Sequence, residues 1–352
     1  MIEIPLNRRS DDTVLLHGRV GIPPAEGPVP PHSPTVVTSM GTAIGERTGG
    51  LLELSAIIVT FNRGPTLLRT LESVLAQSPA AREVIVVDQT REHEPAVRNQ
   101  LRQWSERGDI QLLFQELPNA QRARNRAIAE ATCDVLLFLD DDVILEPGMM
   151  AAHMANYTDP MLAAVCGYYT EPGEVPLDTL PDYCQRRWTG WIHTPHCYTK
   201  RLECHLFPSC NGSIRREVIR RLGGFDENYT HTLLDDTDLA CRLKAAGHRA
   251  VHDPKARLVH LKEPSGGKRP GGLNQHVLAD ANRWFTWCYF YWMNFGWRGV
   301  PELARNFRRC VLRKVNLQRP WYFIIAMVES VRGACRAVSA VLRGRRLARF
   351  AE

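Results

Sequence analysis

Short apolar runs alternate with amphipathic stretches along the first half of the chain, from about residue 54 to residue 139. The runs LSAIIVTF, EVIVVD, IQLLFQE and DVLLFL are apolar at consecutive positions, which is typical of strands buried on both faces. The stretches between them, such as GPTLLRTLESVLAQS, place apolar residues at helical spacing. This alternation predicts βαβ units and a mostly parallel sheet that is covered by helices.

The second half of the chain is less regular and ends in a segment of different character. PSCNGSIRREVIRRLGG predicts a strand followed by a helix, and LDDTDLACRLKAAG predicts a second helix that ends at a glycine. A glycine-rich loop at 262–272 precedes an aromatic stretch and a basic helical tail. We therefore divide the chain into a proline-rich, poorly ordered N-terminal extension (residues 1–50), an α/β domain (51–275) and a helical C-terminal segment (276–352).

The charge of the chain is concentrated in the C-terminal segment. Residues 298–352 contain 13 Lys and Arg and three acidic residues, a net charge of +10, whereas the whole chain carries +6 and the preceding part therefore carries −4. Together with the aromatic stretch at 282–297, this predicts contact with an anionic membrane surface, although an aromatic core helix followed by a solvated basic helix would look similar. Nucleic acid is not an expected partner, because the body is acidic and no recognition motif is present.

The cysteine pattern and the apolar runs indicate the cellular compartment of the protein. The ten cysteines are scattered and form no C-x-x-C pair, which favours reduced thiols over a disulfide framework. We recognise no signal peptide and no apolar run of the roughly 18–20 residues that a membrane-spanning helix needs. We therefore expect a cytoplasmic protein, with peripheral contact at the inner face of the cell membrane as an option.

Polar side chains follow three of the predicted strands. The strand VLLFL leads directly into Asp140, Asp141 and Asp142, the strand VIVV ends at Asp88, and the first strand breaks into TFNR. The carboxyl ends of parallel strands form one edge of a sheet, where ligands bind in such folds, so these residues should converge. Adjacent carboxylates repel one another unless a cation neutralises them, and oxygen ligands suit Mg²⁺ or Mn²⁺. A solvated turn is the alternative for the acidic triplet alone.

Seven segments, in this order, resemble the family 2 glycosyltransferases. These enzymes use nucleotide-sugars and have the GT-A fold, a Rossmann-like, mostly parallel sheet flanked by helices. IIVTFNR is similar to the opening strand and turn, VIVVDQT to the second strand, and ARN to the start of the helix before the metal strand. FLDDD is similar to the D-x-D motif, CNGSIRREVIRRLGGFDE to the acceptor-side signature, LDDTDLACRLKAAG to the Glu-Asp motif, and ARLVHL to a downstream strand. The resemblance covers about residues 55–297.

The resemblance implies specific roles for residues at these positions. Asp142 and His260 would bind a divalent ion, Mn²⁺ or Mg²⁺, and Asp236 would be the general base. Asp88 would accept a hydrogen bond from a pyrimidine base. The further candidates for contacts with a nucleoside diphosphate sugar are Thr60, Phe61, Asn62, Arg63, Arg124, Asp140 and Asp141.

For several residues a structural role is the alternative. Asp141 would point to the opposite face of an extended segment from its two neighbours, which favours a structural role. His260 could be a hydrogen-bonded histidine at a strand end, and Arg124 could be a solvated helix arginine. Lys268 and Arg269 could close over the phosphates as a lid or belong to a plain loop.

The sequence therefore predicts an inverting, metal-dependent glycosyltransferase that moves one sugar to a hydroxyl of a glycan or lipid-linked acceptor. Asp280 stands where processive synthases of similar pattern carry Gln, which favours single-sugar transfer. A sugar-nucleotide pyrophosphorylase would need a basic, glycine-rich phosphate loop that VTFNRGPTLL lacks. A catalytically inactive carbohydrate-binding or scaffold protein of the same fold is the alternative.

Overall fold

The computed structural model describes residues 52–181, 185–186, 191–192, 195–230, 233–267 and 280–350, and the structural statements below concern these residues. The predicted N-terminal extension (residues 1–50) lies outside them. So do Lys268 and Arg269, the two residues that the sequence suggested as a lid.

The first half of the described chain alternates strands and helices as its pattern predicts. The elements are β1 (Leu54–Thr60), α1 (Pro65–Leu75), β2 (Glu83–Asp88), α2 (Pro95–Arg107), β3 (Gln111–Phe114), α3 (Ala120–Glu130) and β4 (Val135–Leu139). Their strands lie in the order β3-β2-β1-β4, and all three pairings are parallel. The α/β prediction is confirmed here, and the carboxyl ends of these strands share one edge of the sheet.

The second half extends this sheet with strands of both directions. Its elements are β5 (Val143–Leu145), α4 (Met149–Ala155), a 3₁₀ turn (Asn156–Thr158), β6 (Leu162–Thr170), β7 (Gln185–Arg186), β8 (Trp191–Ile192), β9 (Leu202–Cys204), β10 (Asn211–Arg215), α5 (Arg216–Arg221), α6 (Asp235–Ala245) and β11 (Arg249–His260). The order continues as β4-β10-β6-β11-β5, with β9 beside β11. β10 is antiparallel to β4 and β6, and β11 is antiparallel to β5 and β9. β6 and β11 are parallel to each other, so the second half of the sheet is mixed, whereas the pairings among β1 to β4 are all parallel.

The sheet is buried on both faces, which explains why its strands are apolar at consecutive positions. Ile58 packs in one layer with Leu67 and Leu71 of α1. Ile57 points the other way and packs with Ala127 and Ile128 of α3. Alternate strand residues face opposite sides of a sheet, so both faces require apolar side chains here.

The C-terminal segment is helical. It comprises α7 (Ala281–Phe295), a 3₁₀ turn (Gly296–Gly299), α8 (Val300–Cys310), α9 (Lys314–Gln318) and α10 (Pro320–Arg343). α7 packs on α10, where a Cβ at Gly333 would lie 2.5 Å from the Trp284 Cβ, and on α6, whose Cys241 shares a buried cluster with Tyr289. Asp280 caps α7 by accepting hydrogen bonds from two backbone N–H groups. Among the described helices, none is both long and apolar enough to cross a membrane.

Candidate active site

Asp142 and His260 are brought together by an antiparallel strand pair. β5 follows the acidic triplet, and its first residue, Val143, pairs with His260 at the end of β11. Both side chains are buried, and the His260 Nε2 lies 3.1 Å from one Asp142 carboxylate oxygen. The other Asp142 oxygen accepts a hydrogen bond from the backbone N–H of Glu263 at 3.0 Å. The two residues that the resemblance assigned to the metal therefore lie in direct contact.

Asp140 completes a set of donors that fits a divalent ion. Its carboxylate is partly exposed and lies 3.7 Å from the His260 Nε2, the same atom that contacts Asp142. Two carboxylate oxygens and one imidazole nitrogen at such separations match the ligand chemistry of Mn²⁺ or Mg²⁺. The buried Nδ1 of His260 has no hydrogen-bond partner in the described chain and lies 3.8 Å from a Glu171 oxygen. Metal-binding histidines commonly donate this second N–H to a carboxylate, and the Glu171 oxygen is 3.8 Å away, too far for that hydrogen bond.

Asp141 points away from this set, as its alternation with its neighbours predicts. Its carboxylate accepts hydrogen bonds from the Thr60 hydroxyl (2.8 Å), the Phe61 N–H (3.4 Å) and the Arg63 Nε (2.8 Å). Burial raises the pKa of Asp141 to about 6, and the nearby Arg63 charge opposes this rise. Asp141 therefore fastens the turn after β1 to the end of β4.

Arg63 connects this turn to the segment after β11. Its guanidinium donates to the carbonyl oxygens of Glu263 (3.1 Å) and Ser265 (2.6 Å), and it lies 3.5 Å from Asp142. Asn62, which is exposed, has a φ of 54°, and its carbonyl oxygen would lie 2.3 Å from a Cβ at Gly266. Arg63 is thus buried among protein groups, a structural contact that the sequence did not indicate.

Asp88 lies beside Thr60 in the register of β1 and β2. One of its oxygens accepts the backbone N–H of Thr90 at 2.9 Å, and the other lies 2.6 Å from the His93 Nε2. Thr90 in turn accepts the N–H of Asn62 at 2.8 Å. No pattern in the loop after β2 marks His93, so this contact could not be predicted from the sequence.

Arg124 links the acidic triplet to the acidic start of α6. Its guanidinium is buried, donates to Asp235 at 3.0 Å and lies 3.8 Å from Asp140. Burial lowers the pKa of Arg124, but the carboxylates of Asp235, Asp236 and Asp140 outweigh burial and raise it. The alternative of a solvated helix arginine is therefore wrong for Arg124.

Asp236 lies at the first turn of α6, and only one of its two carboxylate oxygens has a hydrogen-bond partner among the described groups. Its Oδ2 accepts the N–H of Ser209 at 2.9 Å, whereas its buried Oδ1 has no hydrogen-bond partner among the described groups. Burial and the adjacent Asp235 carboxylate raise the pKa of Asp236 to about 7. The next residue after Ser209 is Cys210, which presents its thiol within 4.8 Å of ligand atoms of Asp140 and His260. Asp236 is thus bound by Ser209, whose sequence neighbour Cys210 lies close to the candidate metal ligands Asp140 and His260.

The structure therefore joins the predicted residues into two connected groups. Contacts around the acidic triplet connect Thr60, Phe61, Arg63, Asp142 and His260, and Arg124, Ser209 and Cys210 lie between Asp140 and the start of α6, which carries Asp236. Asp88 is joined to the first group through Thr90 and Asn62. The roles of these residues stay predictions. Sequence reasoning missed Cys210 as a neighbour of the metal ligands, although it precedes the CNGS segment.

Comparison with known proteins identifies the domain that carries this site. Residues 55–223 match the model of glycosyl transferase family 2. The O-antigen biosynthesis protein RfbC of Myxococcus xanthus is 28% identical over 283 residues, which are 74% of this chain and 21% of that protein. Validoxylamine A glucosyltransferase of Streptomyces hygroscopicus subsp. jinggangensis is 28% identical over 218 residues, 55% of this chain and 52% of that protein. The chain thus spans about a fifth to about half of the length of these relatives.

A solved structure supports the fold. The crystal structure of GalNAc-T7 with UDP, GalNAc and Mn²⁺ superposes with a TM-score of 0.51 at 17% identity and covers 74% of this chain and 54% of that one. The mixed sheet flanked by helices agrees with the GT-A fold of such transferases. Residues 55–223, the part of the chain that contains the acidic triplet, are therefore similar to glycosyl transferase family 2.

Proposed function

We propose that this protein is an inverting glycosyltransferase that moves one sugar from a nucleoside diphosphate sugar to a hydroxyl of a glycan or lipid-linked acceptor. The observation that supports this most is the physical connection between Asp140 and Asp236. Arg124 contacts Asp140 and Asp235, Ser209 donates its N–H to Asp236, and the thiol of the next residue, Cys210, lies within 4.8 Å of an Asp140 oxygen. A group that could bind the diphosphate and a group that could activate the acceptor therefore lie close together.

Asp142, Asp140 and His260 would hold a divalent ion in this proposal. When bound, the ion would supply positive charge that stabilises the negative charge developing on the leaving diphosphate. The presence of Mn²⁺ and UDP in the GalNAc-T7 structure supports a divalent ion and a nucleoside diphosphate as the bound groups. Arg124 adds a fixed positive charge 3.8 Å from Asp140, and Asp235 holds it in place.

Asp236 would remove the proton of the attacking hydroxyl. Its Oδ1 has no competing hydrogen bond, and a pKa of about 7 is close to the value at which a base works best at neutral pH. A single base and a direct displacement at the anomeric carbon invert its configuration. Asp235 is engaged by Gln121 (2.7 Å) and Arg124, so it is the poorer candidate for the base.

Asp88 would recognise the nucleotide base. Both of its carboxylate oxygens already have a protein partner, but each carboxylate oxygen can accept more than one hydrogen bond. The loop that contains Thr90 and His93 would thus orient Asp88 at the edge of the sheet.

The acceptor and the location of the protein are the finer parts of the proposal. The name of the O-antigen biosynthesis relative supports a glycan or lipid-linked acceptor. The outer face of α10 carries exposed apolar residues at heptad spacing, Trp321, Ile324, Val328, Val331, Val338 and Leu342. Together with the basic charge of residues 298–352, this face supports peripheral contact with an anionic membrane on the cytoplasmic side. Co-sedimentation with anionic and neutral vesicles tests this part, and equal binding to both, or none, contradicts it.

A nucleotide-binding screen tests the donor site. We expect UDP, GDP or dTDP to raise the Tm of the protein in the presence of Mn²⁺, because a ligand that binds only the native state stabilises it. Asp142→Asn should abolish the Mn²⁺-dependent part of this shift. Asp109→Asn, a carboxylate change beside Arg107 at the end of α2, is the matched control and should keep it.

Transfer itself is tested by mass spectrometry of acceptor mixtures incubated with the stabilising nucleotide-sugar. We expect one added sugar of inverted configuration and no product with Asp236→Asn. No nucleotide-induced shift in any condition would refute the donor site. A shift without release of nucleoside diphosphate in any acceptor mixture would instead favour the inactive binding protein.

A further inference from the structure

Three potential metal ligands lie on the opposite side of Tyr169 from His260. The side chains of Glu174, His196 and Cys197 offer a carboxylate oxygen, an imidazole nitrogen and a thiol sulfur that all lie within 4.8 Å of one another. Glu174 and His196 are in contact at 2.7 Å, and Cys197 is only 5% exposed. The family roles described above use none of these residues.

We propose that Glu174, His196 and Cys197 form a second metal site, which binds Zn²⁺. Each of the three is a common zinc ligand, and three protein ligands leave a fourth position for water or another group. Around tetrahedral zinc the ligand atoms are separated by about 3.3–3.8 Å. Small side-chain movements would therefore bring the three ligand atoms, now within 4.8 Å of one another, to these distances. The thiolate favours Zn²⁺ over the Mn²⁺ or Mg²⁺ that suit the carboxylates of the active site.

The backbone holds the three ligands in place before any ion binds. The His196 carbonyl accepts the N–H of Tyr169 at 3.1 Å, and the Cys197 carbonyl accepts the N–H of Leu177 at 2.9 Å. The imidazole of His196 stacks on the Tyr169 ring with centroids 4.1 Å apart. Glu174 sits in a tight turn in which its carboxylate accepts the N–H of Glu171 at 2.9 Å. The partial exposure of Glu174 and His196 leaves a route for an ion to enter.

This site would stabilise the positions of Tyr169 and Glu171 beside His260. Tyr169 contacts His196 on one side, and its ring is 6.0 Å from that of His260 on the other. Glu171, whose N–H is bound by Glu174, lies 3.8 Å from the His260 Nδ1 and pairs with Lys262. An ion that links the 171–177 loop to the 195–199 segment would fix both contacts, so we assign it a structural role.

The experiment measures metal binding and needs no sugar substrate, so its result is independent of the proposed transferase activity. The full chain, free of any affinity tag, is analysed for zinc by elemental analysis. It is then stripped with a chelator and titrated anaerobically with Co²⁺, whose thiolate charge-transfer band reports a bound cysteine. We expect one equivalent of zinc and a thiolate band that is lost in Cys197→Ser.

Cys210→Ser is the matched control, because Cys210 is the cysteine beside the active-site carboxylates. It should keep both the zinc and the band. Glu174→Gln should keep the thiolate band but weaken zinc binding by at least the roughly 10- to 100-fold that loss of an outer-shell partner costs. This variant serves also if Cys197→Ser does not fold. Absence of both zinc and a thiolate band overturns the proposal, and so does a band that Cys210→Ser removes.

Discussion

Replacement of Asp236 by asparagine should stabilise the folded protein above pH 7 while it removes the proposed general base. An asparagine oxygen can still accept the Ser209 N–H that Asp236 binds at 2.9 Å. The substitution therefore keeps the local hydrogen bond and removes only the buried negative charge beside Asp235. A residue that serves catalysis at the expense of stability should behave in this way.

The magnitude follows from the pKa of Asp236 in the folded state. Burial and the Asp235 carboxylate raise it from 3.8 to about 7. The native state thus keeps a proton that the unfolded state loses, and the stability linked to this proton is present below pH 4 and is lost as the pH rises to about 7. The full rise in the pKa of Asp236 corresponds to about 4 kcal/mol in the free energy of unfolding. Because the side chain is partly accessible to solvent, we expect about 2 kcal/mol.

Urea unfolding at several pH values between 5 and 8 measures this effect. We expect the free energy of unfolding of Asp236→Asn to exceed that of the wild type by a margin that grows by about 1 kcal/mol over this range, the part of the effect that lies above pH 5. Asp238→Asn, two residues further along α6, is the matched control, for which we expect a change in the free energy of unfolding of opposite sign. Burial raises the pKa of Asp238, but Arg242 and Arg345 outweigh burial and lower it. Loss of that carboxylate should therefore cost stability at pH 8, and this cost should shrink as the pH falls below 4.

A margin that does not change with pH, or a destabilised Asp236→Asn at pH 8, would refute the reasoning. Either result would mean that Asp236 is not held protonated by its surroundings, and the argument for its basicity at neutral pH would fail with it. Loss of sugar transfer in a variant of increased stability would separate a catalytic role from a structural one.

Two further predictions concern the same site, and a third concerns the turn after α5. The logarithm of kcat/KM should fall with unit slope as the pH drops below about 7, because protonated Asp236 cannot accept a proton, and a flat profile to pH 5 would contradict this. Arg124→Lys, which cannot span the same two carboxylates with one planar group, should lower kcat about 100-fold in steady-state assays, and an unchanged rate would refute its role. Gly224→Ala should cost more than about 2 kcal/mol by urea unfolding, because Gly224 has a φ of +68° and its Cβ would lie 2.3 Å from Asn125 Oδ1. Gly173→Ala, with a φ of +84° and open space around its Cβ, should cost only about 1 kcal/mol, and equal costs would count against the steric argument.

The sequence predicted the first half of the fold because local patterns determine it. Each strand from β1 to β4 is apolar on both faces, and each intervening helix has its own apolar face, so the elements and their parallel order follow from short segments. The same logic placed Asp88 and the acidic triplet at one edge. The strand β6 escaped prediction although LAAVCGYYT is apolar, because no repeating unit surrounds it.

The contacts inside the site could not be predicted in the same way. Arg63 meets Ser265 across 202 positions of sequence, and His260 meets Asp142 across 118. Such pairs depend on antiparallel pairings of β10 and β11, which no local pattern specifies. Asp235 and Arg124 have the same explanation, since α3 and α6 meet only in the folded chain.

The antiparallel pairing of β4 with β10 has a consequence for engineering. Asn211 pairs with Leu139, so the residue before β10, Cys210, must lie beside the residue after β4, Asp140. Five consecutive backbone pairs fix this junction, and a shift of one position would turn every side chain of β10 to the opposite face. An engineered insertion or deletion within 211–215 should therefore separate Cys210 from Asp140.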